Sequence, residues 1–155
     1  MLNLSSKEIE YYMQRAINLA KQAQSCNEVP VGALIISKEG KVLAEAYNSP
    51  IALNDPTAHA ELLAIRQAAN VINNYRLTDT IMFVTLEPCL MCAGALIWAR
   101  IKMLYFGAYD KKAGAFGSVI DINTLKGINH RILTKGGILQ QECAEILKDF
   151  FKKRR

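Results

Sequence analysis

The sequence predicts an α/β protein: a sheet with some parallel pairing and helices packed on it. Three observations carry this expectation. Strand-like and helix-like segments alternate as strand, helix, strand, helix, strand through the middle of the chain, which is the order of an α/β sheet. The strand segments are short and rich in Val, Ile and Leu, whereas the helical ones repeat apolar residues every three or four positions. Apolar residues make up 51% of the 155, enough to fill a core for one domain of this length. No repeat, low-complexity tract or linker divides residues 1–155, so a single domain is expected.

Each element has a local reason. Ser5 followed by Glu8 suits a capping box at a helix start. Ile9, Tyr12, Met13, Ala16, Leu19, Ala20 and Ala23 then form one buried helical stripe. Cys26 lies just beyond it and is expected as a small, partly buried thiol. Residues 31–37 and 41–47 form a hairpin around the turn-like Lys38-Glu39-Gly40. A polar loop, 48–57, leads to a helix from about 58 to 72, with Thr57 a candidate N-cap and His59 and Glu61 on its first turn. Residues 81–87 form the next strand. Pro88 is placed to open a helix that runs through Cys92 to about Ala99, and residues 102–107 form another strand. The glycine-bearing stretch 108–118 is expected as a functional surface loop. A turn of helix and a short strand near Ile132 fill 121–137. The last helix, about 139–153, buries Leu139, Cys143, Ile146, Leu147 and Phe150. Trp98 and Phe106 are expected as packing residues.

Composition removes several classes. No apolar stretch approaches the roughly 20 residues of a membrane span, and residues 1–10 lack the basic-then-apolar order of a secretory signal. Two of the four cysteines form a tight metal-type pair and two stand alone, which is no disulfide framework and suits a reducing cytoplasm. The net charge is +5, and residues 148–155 hold +4 of it, leaving +1 on the other 147. Lys148, Lys152 and Arg155 share a helical face. A basic end on a near-neutral body suits a phosphate-rich partner, or a solvated tail that only aids solubility.

Two clusters carry chemistry. His59-Ala60-Glu61 offers an imidazole and a carboxylate, and Pro88-Cys89-Leu90-Met91-Cys92 offers two thiols at helical i, i+3 spacing. Both fall at helix starts that follow strands or their loops, at one edge of the sheet, where such sheets bind ligands. There the helix dipole favours an ionised carboxylate and bound anions. Three protein ligands, His59, Cys89 and Cys92, leave a tetrahedral zinc with an open corner for water, the mark of a catalytic site. Zinc brings the pKa of such a water to roughly 7. Glu61, unligated, is then free to move protons. A Cys-x-x-Cys alone also fits a structural knuckle or a redox pair. The knuckle needs a second tight cluster, which Cys26 and Cys143 do not supply. The redox pair leaves the His-x-Glu unexplained. Glu87 either supports the site or is a structural carboxylate at a helix entrance. His130 is an exposed or turn-satisfying residue, with RNA contact the alternative.

His-x-Glu followed by Pro-Cys-x-x-Cys is similar to the signature of zinc nucleobase deaminases. The likeness extends through Glu28-Val-Pro-Val-Gly-Ala33, Asn54-Asp-Pro-Thr-Ala-His-Ala-Glu61, Asn74-Tyr-Arg-Leu77, Val84-Thr-Leu-Glu-Pro-Cys89, Met91-Cys-Ala-Gly-Ala95, Gly107-Ala-Tyr-Asp110, Glu142-Cys143 and the Phe150-Phe151 basic end. Over nearly its whole length the chain resembles bacterial TadA-type tRNA adenosine deaminases of the cytidine and deoxycytidylate deaminase superfamily. The resemblance implies a three-layer cytidine-deaminase-like fold, with a central mixed five-stranded sheet and helices on both faces. It implies a cytoplasmic homodimer with one zinc per subunit that converts adenosine to inosine at the wobble position, typically in an arginine tRNA. It makes His59, Cys89 and Cys92 the zinc ligands and Glu61 the proton shuttle. It assigns substrate contacts to Asn48, Ala60, Asp110, Lys111, Lys112, Phe151 and Arg154. Gln24 stands where members of the family often have tryptophan, a packing variation. A deaminase of free bases or nucleosides shares the zinc site and remains the rival. A noncatalytic zinc module that binds nucleic acid is a second, lacking its fourth ligand.

Overall fold

In the computed structural model, which describes residues 3–154, each strand's alternation is resolved by the sheet it joins. The strands are β1 (Gly32–Ile36), β2 (Val42–Tyr47), β3 (Ile81–Leu86), β4 (Met103–Ala108) and β5 (Leu133–Lys135), in the spatial order β2-β1-β3-β4-β5. β1 runs antiparallel to β2 and β3, and β3, β4 and β5 run parallel. β1 is buried along its whole length, so period two shows in which layer each side chain enters. Ala33, Ile35, Met82, Val84, Leu104 and Phe106 point into one core. Leu34, Ile36, Ile81 and Phe83 point into the other. A one-residue slip would exchange the two sets, which fixes the register.

The helices are α1 (Ser6–Ser25), α2 (Pro50–Leu53), α3 (Ala60–Ile72), α4 (Leu90–Trp98) and α5 (Gln140–Lys152). Helices α1 and α5 cover one face of the sheet, α3 and α4 the other. The expected three layers and mixed five-stranded sheet are present. The Ser5–Glu8 capping box forms as expected, both bonds at 3.2 Å. α1 lies so close to β1 at Gly32 that a Cβ there would sit 2.1 Å from the Ala16 carbonyl oxygen. The glycine of the Val-Pro-Val-Gly motif is therefore a packing requirement.

The structure corrects several local expectations. The 48–57 loop contains α2. Thr57 is not the N-cap of α3; its N–H and hydroxyl both donate to Asp55 within a turn, and His59 occupies the cap. Pro88 does not open α4; Cys89 is the N-cap, two residues later than a first-turn proline requires. Trp98 is 74% exposed rather than packed, whereas Phe106 is buried. Cys26 is exposed, because α1 ends with its last turn in solvent. His130 is half-buried and satisfied by a distant segment, its Nε2 lying 2.7 Å from the Ile101 carbonyl oxygen. Cys143 and Phe150 are the fully buried residues of α5, with Ile146 and Leu147 partly covered. Arg155 lies outside the described residues. No described helix is long and apolar enough to cross a membrane.

This topology places the functional elements. β1 is antiparallel, so its start lies at the sheet edge where β2, β3 and β4 end. Asn48, past the end of β2, donates its backbone N–H to Val31 just before β1, at 3.0 Å. His59 and Cys89, heading α3 and α4, complete that edge.

Candidate active site

His59 and Cys89 are N-caps with extended backbone, so their side chains lie off the ends of α3 and α4. Cys92 sits one turn into α4, buried under the same end. The His59 Nδ1 atom is 3.7 Å from Cys89 Sγ and 3.4 Å from Cys92 Sγ, and all three donor atoms lie within 4.8 Å of one another. One imidazole and two thiols at this separation suit a single tetrahedral ion with N and S donors. No fourth His, Cys, Asp or Glu joins the group among the described residues, which leaves a coordination position open.

The three donor groups shift one another's protonation. Donation from Cys92 and then His59 lowers the Cys89 thiol to about 4. The Cys92 thiol is raised, first because it holds the shared proton and second by burial. His59 is raised by its contact with Cys89, against the opposing effect of burial. Cys89 is thus the thiol most readily met by an ion as thiolate, and an ion that binds the set takes the place of the remaining protons.

Glu61 stands outside the ligand cluster, on the first turn of α3. Its carboxyl is buried, and burial raises its pKa despite the neighbouring His59. A carboxyl raised above its ordinary range suits the capture and return of protons near neutral pH.

His59, Cys89 and Glu61 line one wall of a pocket of about 250 Å³, and Cys92 is fully buried. Val29, Val31 and Leu86 provide apolar surface, and Asn48 and Asp110 face the site from two loops. Asn48 is buried, and its Oδ1 accepts the Ala60 N–H at 3.0 Å. Only oxygen can receive that proton, so the Asn48 NH2 is the group left to a ligand. Ala60 is fully buried and its N–H is engaged by Asn48.

The other expected binding residues lie next to this pocket. Lys112 and Phe151, with Lys148, Lys152 and Arg154, line a second, wider groove of about 710 Å³. Lys111 is exposed on the adjoining turn. The Arg154 guanidinium stacks over Phe150 and donates to the Phe150 carbonyl and to Asn27 Oδ1, so it braces the groove. The Phe151 ring is 49% exposed and faces the groove.

One buried carboxylate, Glu28, escaped the sequence reasoning, and a second, Glu87, fits the structural reading offered for it. Glu28 accepts the N–H groups of Ile51 and Ala52 at 3.1 and 2.8 Å, which fixes α2 and the loop that begins at Asn48. Glu87 receives donors from the 110–118 loop. No local signal marks Glu28, since its partners are backbone N–H groups more than 20 residues away.

Fold and cluster together define a zinc-binding deaminase centre. The chain belongs to the deaminase family: residues 6–108 match the cytidine and deoxycytidylate deaminase zinc-binding region. Within it the similarity is to tRNA-specific adenosine deaminases. The Haemophilus influenzae protein of that name is 44% identical over 146 residues, 94% of this chain and 84% of that one. The Aquifex aeolicus protein is 45% identical over 146 residues, 94% of this chain and 95% of its own. A solved structure from studies of A-to-I editing by tRNA:A34 deaminases at the wobble position is also similar. It is 40% identical, with a TM-score of 0.86 over 88% of this chain and 99% of that one.

Proposed function

We propose that this chain hydrolyses adenosine to inosine at the wobble position of tRNA, with the arginine tRNA of anticodon ACG as substrate. The observation that carries the reading is the set His59, Cys89 and Cys92 with unligated Glu61 beside it; of these His59, Cys89 and Glu61 face one pocket with Asn48. End-to-end similarity to tRNA-specific adenosine deaminases supports the choice of substrate.

His59, Cys89 and Cys92 would hold the zinc, one per subunit. When bound, it would supply a water acidic enough to act as a nucleophile toward C6 of the base at neutral pH. Glu61 takes the proton from that water and delivers it to the adjacent ring nitrogen. It then takes the remaining proton from the oxygen now bonded to C6 and passes it to the amine; the C6–N bond breaks, ammonia leaves, and the C6 carbonyl of inosine remains. Asn48, fixed through Ala60, donates its free N–H to an acceptor of the flipped base. A wobble base is already unpaired, so extruding it costs little.

Asp110, Lys111, Lys112, Phe151 and Arg154 hold the nucleotides around it. Lysines contact phosphate, and the exposed Phe151 ring offers a surface for a splayed base. Leu90, Met91 and Trp98 are exposed on α4, and Tyr75 lines a surface hollow with Trp98. That apolar face supports a homodimer through α3 and α4, next to the ends that carry the ligands. A tRNA substrate supports a cytoplasmic location.

Incubating the purified protein with the ACG arginine tRNA and mapping inosine tests the reading. Conversion confined to the wobble adenosine is expected. Turnover of free guanine, cytosine or cytidine, with none on the tRNA or its anticodon stem-loop, would overturn it.

A further inference from the structure

We infer that Glu87 is a positioning residue: it locks the 110–118 loop to the strand end that carries Cys89, and so sets where Asp110, Lys111 and Lys112 meet the RNA. The inference rests on the reading that this loop contacts the substrate.

Glu87 is 1% exposed, and it sits between the end of β3 and Pro88-Cys89. Burying a carboxylate is costly unless charge or hydrogen bonds compensate it. Among the described residues no cation does so; the ion pairs present are Arg15–Glu45 and Lys102–Asp79. The compensation comes from one loop. Oε1 accepts the Asp110 N–H at 3.1 Å and the Ser118 hydroxyl, and Oε2 accepts the N–H groups of Phe116 at 3.0 Å and Ser118 at 3.2 Å.

The loop is shaped around that carboxylate. A Cβ at Gly114 would lie 2.3 Å from Glu87 Cδ, so the backbone can wrap the acid only without a side chain there. Asp110 then accepts the N–H groups of Lys112 and Ala113, which orients the turn carrying both lysines. Backbone bonds from Glu87 to Ala108 and from Ala115 to Pro88 join the same two segments. Both Glu87 oxygens are engaged by the loop, which leaves the proton traffic to Glu61. An apolar residue could fill the volume, but it could not receive four donors converging from different directions.

Glu87→Gln keeps the shape and turns an acceptor into an NH2 facing N–H groups. Ser118→Ala removes a single donor and keeps the acid. Both are compared with the wild type for kcat and KM on an anticodon stem-loop, for zinc content, and for amide exchange at 110, 116 and 118. For Glu87→Gln the expected result is a KM raised about tenfold with kcat changed less. Faster exchange of those amides and one zinc per chain are expected with it. Ser118→Ala shows the same pattern at about two- to threefold, and carries the test if Glu87→Gln does not fold. An unchanged KM, unchanged loop amides, or a loss of kcat and zinc together with KM unmoved would each overturn the inference. If the wild type makes no inosine from the stem-loop, the functional reading fails instead, and the Ser118→Ala exchange rates still judge the lock.

Discussion

Replacing Glu61 with glutamine separates proton transfer from metal binding. The side chain keeps its size, and it is not among the donor atoms that converge on the metal position, so zinc content is expected to stay at one per chain. The wild-type carboxyl is 4% exposed, and burial raises its pKa, so removing the ionisable group relieves a desolvation cost and the melting temperature is not expected to fall. Turnover falls steeply. A positioned acid or base contributes about 10²–10⁴ in rate. Here one carboxylate both takes and returns the proton, and both oxygens of the neighbouring Glu87 are engaged by the 110–118 loop. The loss is expected to reach about 10³, about 4 kcal/mol of barrier. The assay is single-turnover inosine formation on an anticodon stem-loop, with zinc measured in the same preparation. A Glu61→Gln protein with zinc bound and a rate within tenfold of wild type would refute the assignment.

Three further outcomes follow from other parts of the fold. Cys89→Ala or His59→Ala is expected to lower zinc affinity by more than about 100-fold, a loss larger than that for an outer-shell residue, and metal titration in a chelator buffer checks it. Gly32→Ala forces a methyl against the backbone of α1, with the Ala16 carbonyl oxygen 2.1 Å away. It is expected to cost about 3 kcal/mol, or about 6–12 °C in Tm, read by thermal melting. The Cys143 thiol is pushed up to about 12, first by burial and then by Glu142. The unfolded thiol ionises first as pH rises above about 9, so stability is lost between pH 9 and 12, by at most about 1.4 kcal/mol per pH unit. Denaturant melts at pH 8 and 10.5 should show a smaller fall in Cys143→Ala than in wild type.

Periodicity made α1, the β1–β2 hairpin, α3, β3 and β4 legible, because each buries a regular stripe or an alternating pair of faces. The capping box at Ser5 was legible because its two partners are three residues apart. The His59, Cys89, Cys92 and Glu61 set was legible because short spacing within each cluster fixed its local geometry. The helix starts were displaced by one or two residues, since His59 and Cys89 took cap positions that Thr57 and Pro88 suited by type alone. Trp98 was misplaced because its size argues for burial, while its position on the outer side of α4 decides otherwise. The role of Glu28 and the partners of Glu87 were hidden for a different reason. Apart from the Ser118 hydroxyl, the donors are backbone N–H groups 23 to 31 residues away, and backbone donors leave no mark in a sequence.

X-ray absorption at the zinc edge of the purified protein tests the central claim most directly. Two sulfur scatterers at about 2.3 Å, with one nitrogen and one exchangeable oxygen at about 2.0–2.1 Å, are predicted. A closed shell of four protein donors, or a metal shell without sulfur, would contradict it.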